Sequence, residues 1–382
     1  MPGKHVVILG GGFGGAAAAI TLRKLLDTEH TVTVVDRAHR TYLGASMARL
    51  AIGEREPAKI SRSLGALTQR GVQFHQAEIE EIDTCNQHVK TSVATLNFDY
   101  LVVSTGTDYD WEAVPGSIQE HSFYNIESAT RLRTALRRFR KGRIVIAISR
   151  LPYKCPPAPY EAAMLINRFL DQRGYRNCTD IHLFTPEPAP LGITGPESSA
   201  ALKADLDARG ITLHTTENLS EINTDTQEAR FLSGSLINYD LLVTVPVHRS
   251  PRVVREANLT DGSGWIPVNP STLETTSENV YAIGDVNFLP MANGAPLPKA
   301  GVFASGEARI VANNIAAQIQ TRAQSVFEGN GYCFVDQGTG HGRLITGGFL
   351  NKETPRVTLS PSSTRSYAKK IRFESNWRKW KI

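Results

Sequence analysis

The chain has 382 residues, of which 41% are hydrophobic and 21% are charged, and it carries a formal net charge of +5. This composition excludes a disordered chain, and four cysteines are too few for a secreted scaffold framed by disulfides. The excess positive charge is concentrated in residues 365–382, which contain seven basic residues and one acid. Because a nucleic-acid binder should spread its basic residues over the folded body, we expect no nucleic-acid partner.

The first predicted elements form a nucleotide-binding unit. A strand over Val6–Leu9 leads through a glycine-rich turn into a helix over Gly14–Leu26, and a second strand covers Thr31–Val35. A β–turn–α–β order with a parallel crossover is typical of such units. Further strands are predicted over Val72–His75, Tyr100–Ser104, Arg143–Ala147, Ile181–Phe184 and Leu241–Val245, further helices over Ala129–Phe139, Ala158–Gln172, Ser198–Ala208 and Ser305–Gln320, and a loop over Asn351–Ser363.

The glycine-rich turn matches the pattern G-x-G-x-x-G at Gly10, Gly12 and Gly15. In this pattern the first glycine permits a tight turn, the second lets the backbone approach a pyrophosphate, and the third lets helix and strand pack closely. The diphosphate lies at the helix N-terminus, where free N–H groups and the helix dipole favour an anion. Asp36 ends the second strand and can accept hydrogen bonds from a ribose. The pattern therefore predicts a dinucleotide site, in which we include the neighbouring Phe13, Gly14 and Arg37.

Two later segments indicate which dinucleotide binds. Leu101–Thr107 and Val280–Asp285 are each a strand that ends in small residues. Together with the glycine turn they resemble the flavoproteins with two dinucleotide-binding domains, which include the pyridine nucleotide–disulfide oxidoreductases. The resemblance implies an α/β fold of two Rossmann-like domains, as in glutathione reductase, and FAD as cofactor. It also implies that Asp285 contacts the ribityl chain, in a site that includes Thr105, Gly106 and Gly284.

The second nucleotide-binding turn lacks its glycines. The strand Arg143–Ala147 runs into Ile148–Glu161, which contains four prolines and no glycine. Without glycine the backbone cannot approach a pyrophosphate, and prolines remove N–H donors. NAD(P)H is therefore disfavoured as reductant, and with it a type II NADH:quinone oxidoreductase.

A cysteine motif takes the place of that turn. Cys155–Glu161, with the sequence CPPAPYE, resembles the cysteine motif of sulfide:quinone oxidoreductases and of the flavoprotein subunit of flavocytochrome c sulfide dehydrogenase. Gly329–Gly338 resembles the segment that carries the second redox cysteine, here Cys333. Pro298–Ala304 resembles the segment beside the flavin ring, which implies contacts to FAD from Lys299, Ala300 and Gly301.

The resemblance implies a specific reaction. A redox disulfide between Cys155 and Cys333 would oxidise sulfide to zero-valent sulfur or polysulfide, and FAD would pass the electrons to a membrane quinone. Glu161 is a candidate for proton transfer, although a favourable charge in the first turn of a helix is the alternative. Cys85 and Cys178 lie in no motif and are expected to be inert. No Cys or His spacing predicts a metal.

Two departures from the resembling families concern the attachment of FAD. Neither Arg40–Ser46 nor His121–Ser128 contains the additional cysteine that some relatives have there. We therefore expect FAD to be bound without a covalent link.

The basic tail contains an aromatic pattern. Phe373, Trp377 and Trp380 are spaced i, i+4, i+7 among Lys and Arg, which is typical of a helix at a membrane interface. Because no apolar run approaches the roughly 18 residues that span a bilayer, we expect a peripheral, monotopic protein of the cytoplasmic membrane. The alternative is a helix that packs against the core of the same chain. The start of the chain, which enters an apolar strand at once, predicts no export signal.

The expected organisation has four parts. Residues 1–110 and 266–320 form the FAD-binding Rossmann domain, 111–265 form a second Rossmann-like domain that carries Cys155 in place of an NAD loop, and 321–382 carry Cys333 and the membrane-associating segment. Three other functions stay open: a flavocytochrome c-like subunit with a cytochrome acceptor, a catalytically silent flavin-bearing membrane adaptor, and a type II NADH:quinone oxidoreductase. A homo-oligomer also stays open.

Overall fold

The computed structural model of the chain describes residues 3–351 and 355–380 and confirms the predicted α/β fold. The strands are β1 (His5–Leu9), β2 (Thr31–Asp36), β3 (Arg40–Tyr42), β4 (Ser61–Ser63), β5 (Gln73–Gln76), β6 (Ile79–Asp83), β7 (His88–Thr91), β8 (Thr95–Asn97), β9 (Tyr100–Val103), β10 (Asp108–Asp110), β11 (Gly142–Ile148), β12 (Thr179–Phe184), β13 (Ile211–His214), β14 (Leu219–Asn223), β15 (Glu228–Phe231), β16 (Leu236–Asn238), β17 (Leu241–Val245), β18 (Val247–Arg249), β19 (Ile266–Pro267), β20 (Val280–Ala282), β21 (Asn287–Phe288), β22 (Asn330–Asp336), β23 (Gly342–Gly348) and β24 (Arg356–Leu359). The helices are α1 (Phe13–Leu25), α2 (Met47–Ala51), α3 (Ile126–Arg138), α4 (Ala158–Asp171), α5 (Pro196–Asp207), α6 (Arg252–Glu256), α7 (Gly301–Ile319) and α8 (Thr364–Arg378).

The N-terminal unit is built on a parallel sheet in the order β20–β9–β1–β2–β5. Its central strands are apolar and rich in valine because both faces of the sheet are covered, and Val6–Leu9 are fully buried. β1 lies between β2 and β9, so the chain order reverses beside it. The carboxyl end of a strand at such a reversal is where open α/β sheets form a ligand crevice.

The second unit repeats this plan with a parallel sheet in the order β13–β12–β11–β17. Residues 144–148 of β11 are fully buried, as expected for a central strand. β11 leads through the Cys155 loop into α4 and then β12, which is the same succession as β1, α1 and β2. Each unit also carries a small antiparallel sheet, β6–β7–β8 in the first and β14–β15–β16 in the second.

The last part of the chain forms an antiparallel sheet, β22–β23–β24, covered by α8. The prediction of a loop over residues 351–363 was wrong for Arg356–Leu359, which pair with β23 as β24. The pairing is possible because Val357 is buried while its neighbours Arg356 and Thr358 are exposed, the alternation of an edge strand. The part of that loop over residues 352–354 lies outside the described residues.

Two helices begin earlier than predicted. α3 begins at Ile126 rather than Ala129, because the side chain of Asn125 accepts a hydrogen bond from the Ser128 backbone N–H at 2.7 Å and caps the helix. α7 begins at Gly301 rather than Ser305. Its first turn is apolar and faces the pocket described below.

The tail forms α8, and its aromatic residues pack against the chain itself. Trp377 is only 2% exposed and lies against Phe13, with ring centroids 5.7 Å apart. The Arg62 guanidinium lies over the rings of Trp377 and Trp380, with Cζ 3.9 and 3.7 Å from the centroids. The helix ends at Arg378, so Trp380 lies beyond its last turn. The aromatic residues therefore contact the protein body, which was the alternative expectation.

Within residues 3–351 and 355–380, none of the helices combines the length and the apolar character needed to cross a bilayer.

The burial of Trp377 predicts that the docking of α8 depends on it. Trp377→Ala should lower the free energy of unfolding by about 3–5 kcal/mol, the usual cost of truncating a large buried aromatic side chain. Trp380→Ala truncates a partly exposed ring that lies against Arg62 as well, and it should lower the free energy of unfolding clearly less. Urea unfolding followed by circular dichroism measures both values, and equal losses would contradict the docking described here.

Candidate functional site

One pocket at the carboxyl ends of β1 and β9 collects nearly all the predicted site residues. It extends from the glycine turn of the first unit to the Cys155 loop of the second and to β22. Of the predicted residues it is lined by Gly10, Gly12, Phe13, Gly14, Asp36, Thr105, Gly106, Cys155, Glu161, Gly284, Asp285, Lys299, Ala300, Gly301 and Cys333. The structure thus brings together residues from seven separate segments of the sequence.

Two predicted cofactor residues do not line this pocket. Gly15 faces the turn below it, and an added Cβ would lie 1.8 Å from the Gly10 carbonyl oxygen. Gly15 therefore allows α1 to pack closely against the glycine turn. The Arg37 side chain is 69% exposed and lies 3.8 Å from the carboxylates of both Glu78 and Asp108.

The glycine turn has the shape that a bound diphosphate requires. Gly10 has φ +95°, and an added Cβ would meet the Ser104 carbonyl oxygen at 2.5 Å. At Gly12, by contrast, an added Cβ would meet no atom within 4 Å and would extend into open space in the pocket wall. The Gly11 backbone N–H donates to Asp36 Oδ2 at 2.7 Å, which ties the turn to the end of β2.

Unpartnered polar atoms farther along the pocket match the predicted FAD. Asp285 Oδ1 and Thr105 Oγ1 are buried without a hydrogen-bond partner among the described residues. Burial raises the pKa of Asp285, while the nearby Lys154 and Lys299 ammonium groups oppose the rise. A ribityl chain or a phosphate edge offers hydroxyl groups and oxygens for such atoms. With the open space at Gly12, these residues fit FAD.

Lysine side chains make this end of the pocket positive. Lys299 Nζ donates to the carbonyl oxygens of Asp285 at 2.7 Å and Asn287 at 3.1 Å, and burial lowers its pKa to about 8. Lys154 also lines the pocket and was missed in the sequence. Its position directly before Cys155 was the only sign available. Two cations in a buried pocket favour a ligand that carries or gains negative charge.

Cys155 is held in a strained backbone conformation. Its φ of +55° lies in the left-handed region, which is unusual for a residue with a side chain. Its N–H donates to the Lys299 carbonyl oxygen at 2.7 Å, and the Tyr124 hydroxyl donates to the carbonyl oxygen of Lys154 at 3.1 Å. Such conformations persist where the surroundings determine them, and they cluster at functional sites.

The two predicted redox cysteines, Cys155 and Cys333, are free thiols that line the same pocket, where each shifts the pKa of the other. Cys333 lies on β22, opposite Ile345 of β23. The Cys333 side chain, with burial, raises the pKa of the Cys155 thiol well above its usual range. The Cys155 side chain in turn lowers the pKa of Cys333.

A buried ion pair lies beside the cysteines. Lys370 of α8 donates to Glu161 Oε1, and Glu161 Oε2 accepts the backbone N–H of Asp336 at 2.8 Å. Burial raises the pKa of Glu161, and the Lys370 ammonium opposes the rise. Arg49 Nε donates to Asp336 Oδ2 at 3.0 Å and completes the cluster. Lys370 was missed as a site residue because the sequence presents it as one cation among seven in the tail.

A second groove adjoins the first pocket on the side of α8. Several aromatic and apolar residues line both cavities, namely Phe13, Val302, Tyr332, Phe334 and Phe373. The basic residues Arg309, Lys369 and Arg372 also line the groove. The groove is thus apolar, bordered by cations, and continuous with the pocket that contains the cysteines.

Comparisons with known proteins indicate the family of the chain. The profile of the family described as "Pyridine nucleotide-disulphide oxidoreductase" matches residues 4–147 and 160–321. A second profile, "Sulfide dehydrogenase [flavocytochrome c] flavoprotein chain, central", matches residues 129–181.

Similar curated proteins and a similar solved structure bear related names. The mitochondrial sulfide:quinone oxidoreductase of Mus musculus is 24% identical over 369 residues, covering 93% of this chain and 80% of that protein. The sulfide-quinone reductase of Aquifex aeolicus is 28% identical over 332 residues, covering 83% and 77%. The crystal structure of the sulfide:quinone oxidoreductase from Aquifex aeolicus superposes with a TM-score of 0.89 and 23% identity, covering 99% of this chain and 92% of that one. At this identity the superposition establishes the fold.

Substitution of Gly12 is expected to weaken FAD binding, whereas substitution of Gly15 is expected to lower stability. Gly12→Ala should fold normally but bind FAD at least about tenfold more weakly, because its methyl group would extend into the place of the diphosphate. Gly15→Ala should lower the stability of the FAD-free protein by about 3 kcal/mol, because its methyl group would overlap a backbone oxygen. Flavin absorbance per protein and urea unfolding of the apoprotein separate the two effects. A Gly12→Ala protein that retains full flavin would contradict the site.

Proposed function

We propose that this chain, which belongs to the pyridine nucleotide-disulphide oxidoreductase family, is an FAD-dependent enzyme that oxidises sulfide to zero-valent sulfur or polysulfide with a membrane quinone as acceptor. In this proposal residues 1–110 and 266–320 bind FAD, and residues 111–265 carry Cys155 in place of a second dinucleotide. The observation that carries the proposal is that Cys155 and Cys333 line the same pocket as the glycine turn.

The cysteine pair supports a two-electron reaction with hydrosulfide. In the oxidised pair, hydrosulfide attacks one sulfur, a new S–S bond forms there, and the bond between the cysteines breaks. The attack leaves a persulfide on one cysteine and a thiolate on the other. Bound FAD supplies a two-electron acceptor that can reoxidise the pair and reduce a quinone.

The buried groups beside the pair support this chemistry electrostatically. The Glu161 carboxylate raises the pKa of both thiols and the Lys370 ammonium opposes that rise, so a protonated Glu161 leaves Lys370 to stabilise a thiolate. Glu161 lies in the same pocket with a pKa raised by burial, so it is placed to accept and return a proton there. Its bond to Lys370 holds it in one orientation. Glu161 therefore acts in this proposal as a proton carrier rather than as a helix-capping charge.

The adjoining groove supports a quinone as acceptor. A quinone has a flat, apolar ring with two polar oxygens, and the groove combines aromatic side chains with basic residues at its border. The groove shares lining residues with the first pocket, which provides a short route for electrons between the two cavities. A cytochrome is the second candidate acceptor, since the flavocytochrome c profile matches residues 129–181.

The reaction can be tested by anaerobic addition of sulfide to the purified flavoprotein. We expect the flavin band to bleach, and Cys155→Ser and Cys333→Ser to slow bleaching by about a hundredfold or more, because each removes one half of the electrophilic disulfide. Cys178→Ser, which alters an exposed cysteine, serves as the matched control. Decyl-ubiquinone should then restore the colour, and cytochrome c should not.

Three other results would each contradict the proposal in a different way. Bleaching by NADH alone would indicate an NADH:quinone oxidoreductase and would mean that the Cys155 loop accepts a dinucleotide. Reoxidation by cytochrome c alone would indicate a flavocytochrome-type subunit. A flavin that neither donor reduces would indicate a silent flavin-bearing protein.

We further propose that the protein binds a membrane surface through the outward side of α8. With Trp377 and Lys370 buried, this side presents the exposed cations Arg365, Lys369, Arg372 and Arg378. Each basic residue near an anionic bilayer contributes about 1 kcal/mol. The membrane contact is thus expected to depend on charge more than on inserted aromatic rings.

Charge reversal tests the membrane contact. Lys369→Glu/Arg372→Glu should reduce sedimentation with phosphatidylserine vesicles by about tenfold or more, because it replaces attraction by repulsion. Arg131→Glu/Arg138→Glu makes the same change on the exposed side of α3 and is the control. Binding that resists both changes and high salt would overturn the proposed surface.

A further inference from the structure

A cluster of hydrogen bonds centred on the half-buried Glu187 holds the Cys155 loop. Glu187 Oε2 accepts hydrogen bonds from the Tyr160 hydroxyl at 2.5 Å, the Tyr153 hydroxyl at 3.0 Å and the Thr185 hydroxyl at 3.2 Å. Tyr160 and Thr185 are fully buried, and Tyr153 is 3% exposed. The reaction proposed above uses none of these groups. Both tyrosines belong to the loop or to the helix that follows it.

The position of Glu187 in the fold explains why its carboxylate can bond to the Cys155 loop. In the first unit, Asp36 ends β2 and accepts the Gly11 N–H of the glycine turn at 2.7 Å. In the second unit, Glu187 follows β12 by three residues and bonds to the turn between β11 and α4. In dinucleotide-binding units the acid that binds a ribose ends the second strand, and Glu187 lies three residues beyond the end of β12. Here the Glu187 carboxylate accepts hydrogen bonds from the hydroxyl groups of Tyr153 and Tyr160.

The cluster fixes the loop at several points around Cys155. Tyr153 precedes the cysteine by two residues, and its hydroxyl also lies 3.2 Å from the Pro156 carbonyl oxygen. Tyr160 lies within the cysteine motif, in the first turn of α4. A residue with φ +55° keeps that conformation only while its surroundings impose it. A carboxylate that accepts several buried hydroxyl groups is a strong constraint of this kind.

We infer that Glu187, Tyr153 and Tyr160 form a clasp that positions Cys155 against Cys333. This inference rests on the proposed redox role of the cysteine pair. The clasp residues are positioning residues, because they act through the loop and not on the sulfur atoms. By holding the two sulfur atoms together, the clasp favours the disulfide over the dithiol.

The equilibrium between disulfide and dithiol provides a test with a readout other than activity. The holoenzyme is equilibrated without oxygen in glutathione buffers, the thiols are alkylated, and mass spectrometry gives the fraction of Cys155–Cys333 disulfide. Tyr153→Phe and Glu187→Gln should each lower the equilibrium constant for the disulfide by about tenfold, or about 30 mV. The double variant should lose no more than the larger single effect, because both changes break the same bond.

Tyr239→Phe is the matched control. Its hydroxyl donates to Glu120 Oε1 at 2.6 Å, so the variant breaks a tyrosine–glutamate bond of the same kind in the same unit. It should lower stability in urea as Tyr153→Phe does, yet leave the disulfide equilibrium unchanged. If Glu187→Gln fails to fold, Tyr153→Phe, which removes one hydroxyl group, decides the question.

The outcomes distinguish the clasp from the proposed function. A disulfide that forms in the wild type with an unchanged equilibrium in the clasp variants overturns the clasp alone. A shift in Tyr239→Phe equal to that in Tyr153→Phe also overturns it, because the effect would then be general destabilisation. A wild type that forms no disulfide at any ratio of glutathione overturns the redox role of the pair, and the clasp inference with it.

Discussion

The buried ion pair between Lys370 and Glu161 joins the three parts of the chain that build the cysteine site. Glu161 lies in the first turn of the helix after Cys155, Lys370 comes from the tail, and Asp336 on the Cys333 strand donates its N–H to the same carboxylate. A buried pair of this kind adds little stability by itself, but removing one partner costs about 3–5 kcal/mol, because the other charge is left in a low-dielectric interior. The ion pair therefore determines how the tail docks more than it stabilises the fold. The tail can dock in few other ways without leaving a charge unpaired, and the same docking brings the two cysteine segments together.

The two Rossmann-like units show how one topology serves two purposes. Both place a strand, a turn, a helix and a second strand in the same order, and both bond the acid after the second strand to the turn. In the first unit the turn is made of glycine, so space is left for a ligand at Gly12. In the second unit the side chains of the turn fill this space, and the Glu187 carboxylate accepts hydrogen bonds from tyrosine hydroxyl groups. The functional difference lies in the side chains of one turn and not in the fold.

Much of the first unit could be predicted, because its signals are local. The glycine spacing, the valine-rich strands and the acid after β2 all lie within about forty residues, and the structure places most of them in one pocket. The proximity of Cys155 and Cys333 is a long-range contact that periodicity cannot give, and only the resemblance of their motifs suggested it. Lys370 and Glu187 were missed for a related reason. Each looks like an ordinary surface charge until the tertiary structure shows which buried groups it contacts.

The tail shows why an amphipathic pattern leaves its own interpretation open. Phe373, Trp377 and Trp380 have the spacing of a helix whose apolar side must be buried, and that requirement is met equally by lipid and by protein. The structure resolves the choice through Arg62, a buried cation that needs the tryptophan rings, and through Lys370, which needs Glu161. The exposed cations of α8 are what the docking leaves on the outside. The same helix thus contributes a buried charge to the cysteine site and presents cations to the solvent on its other side.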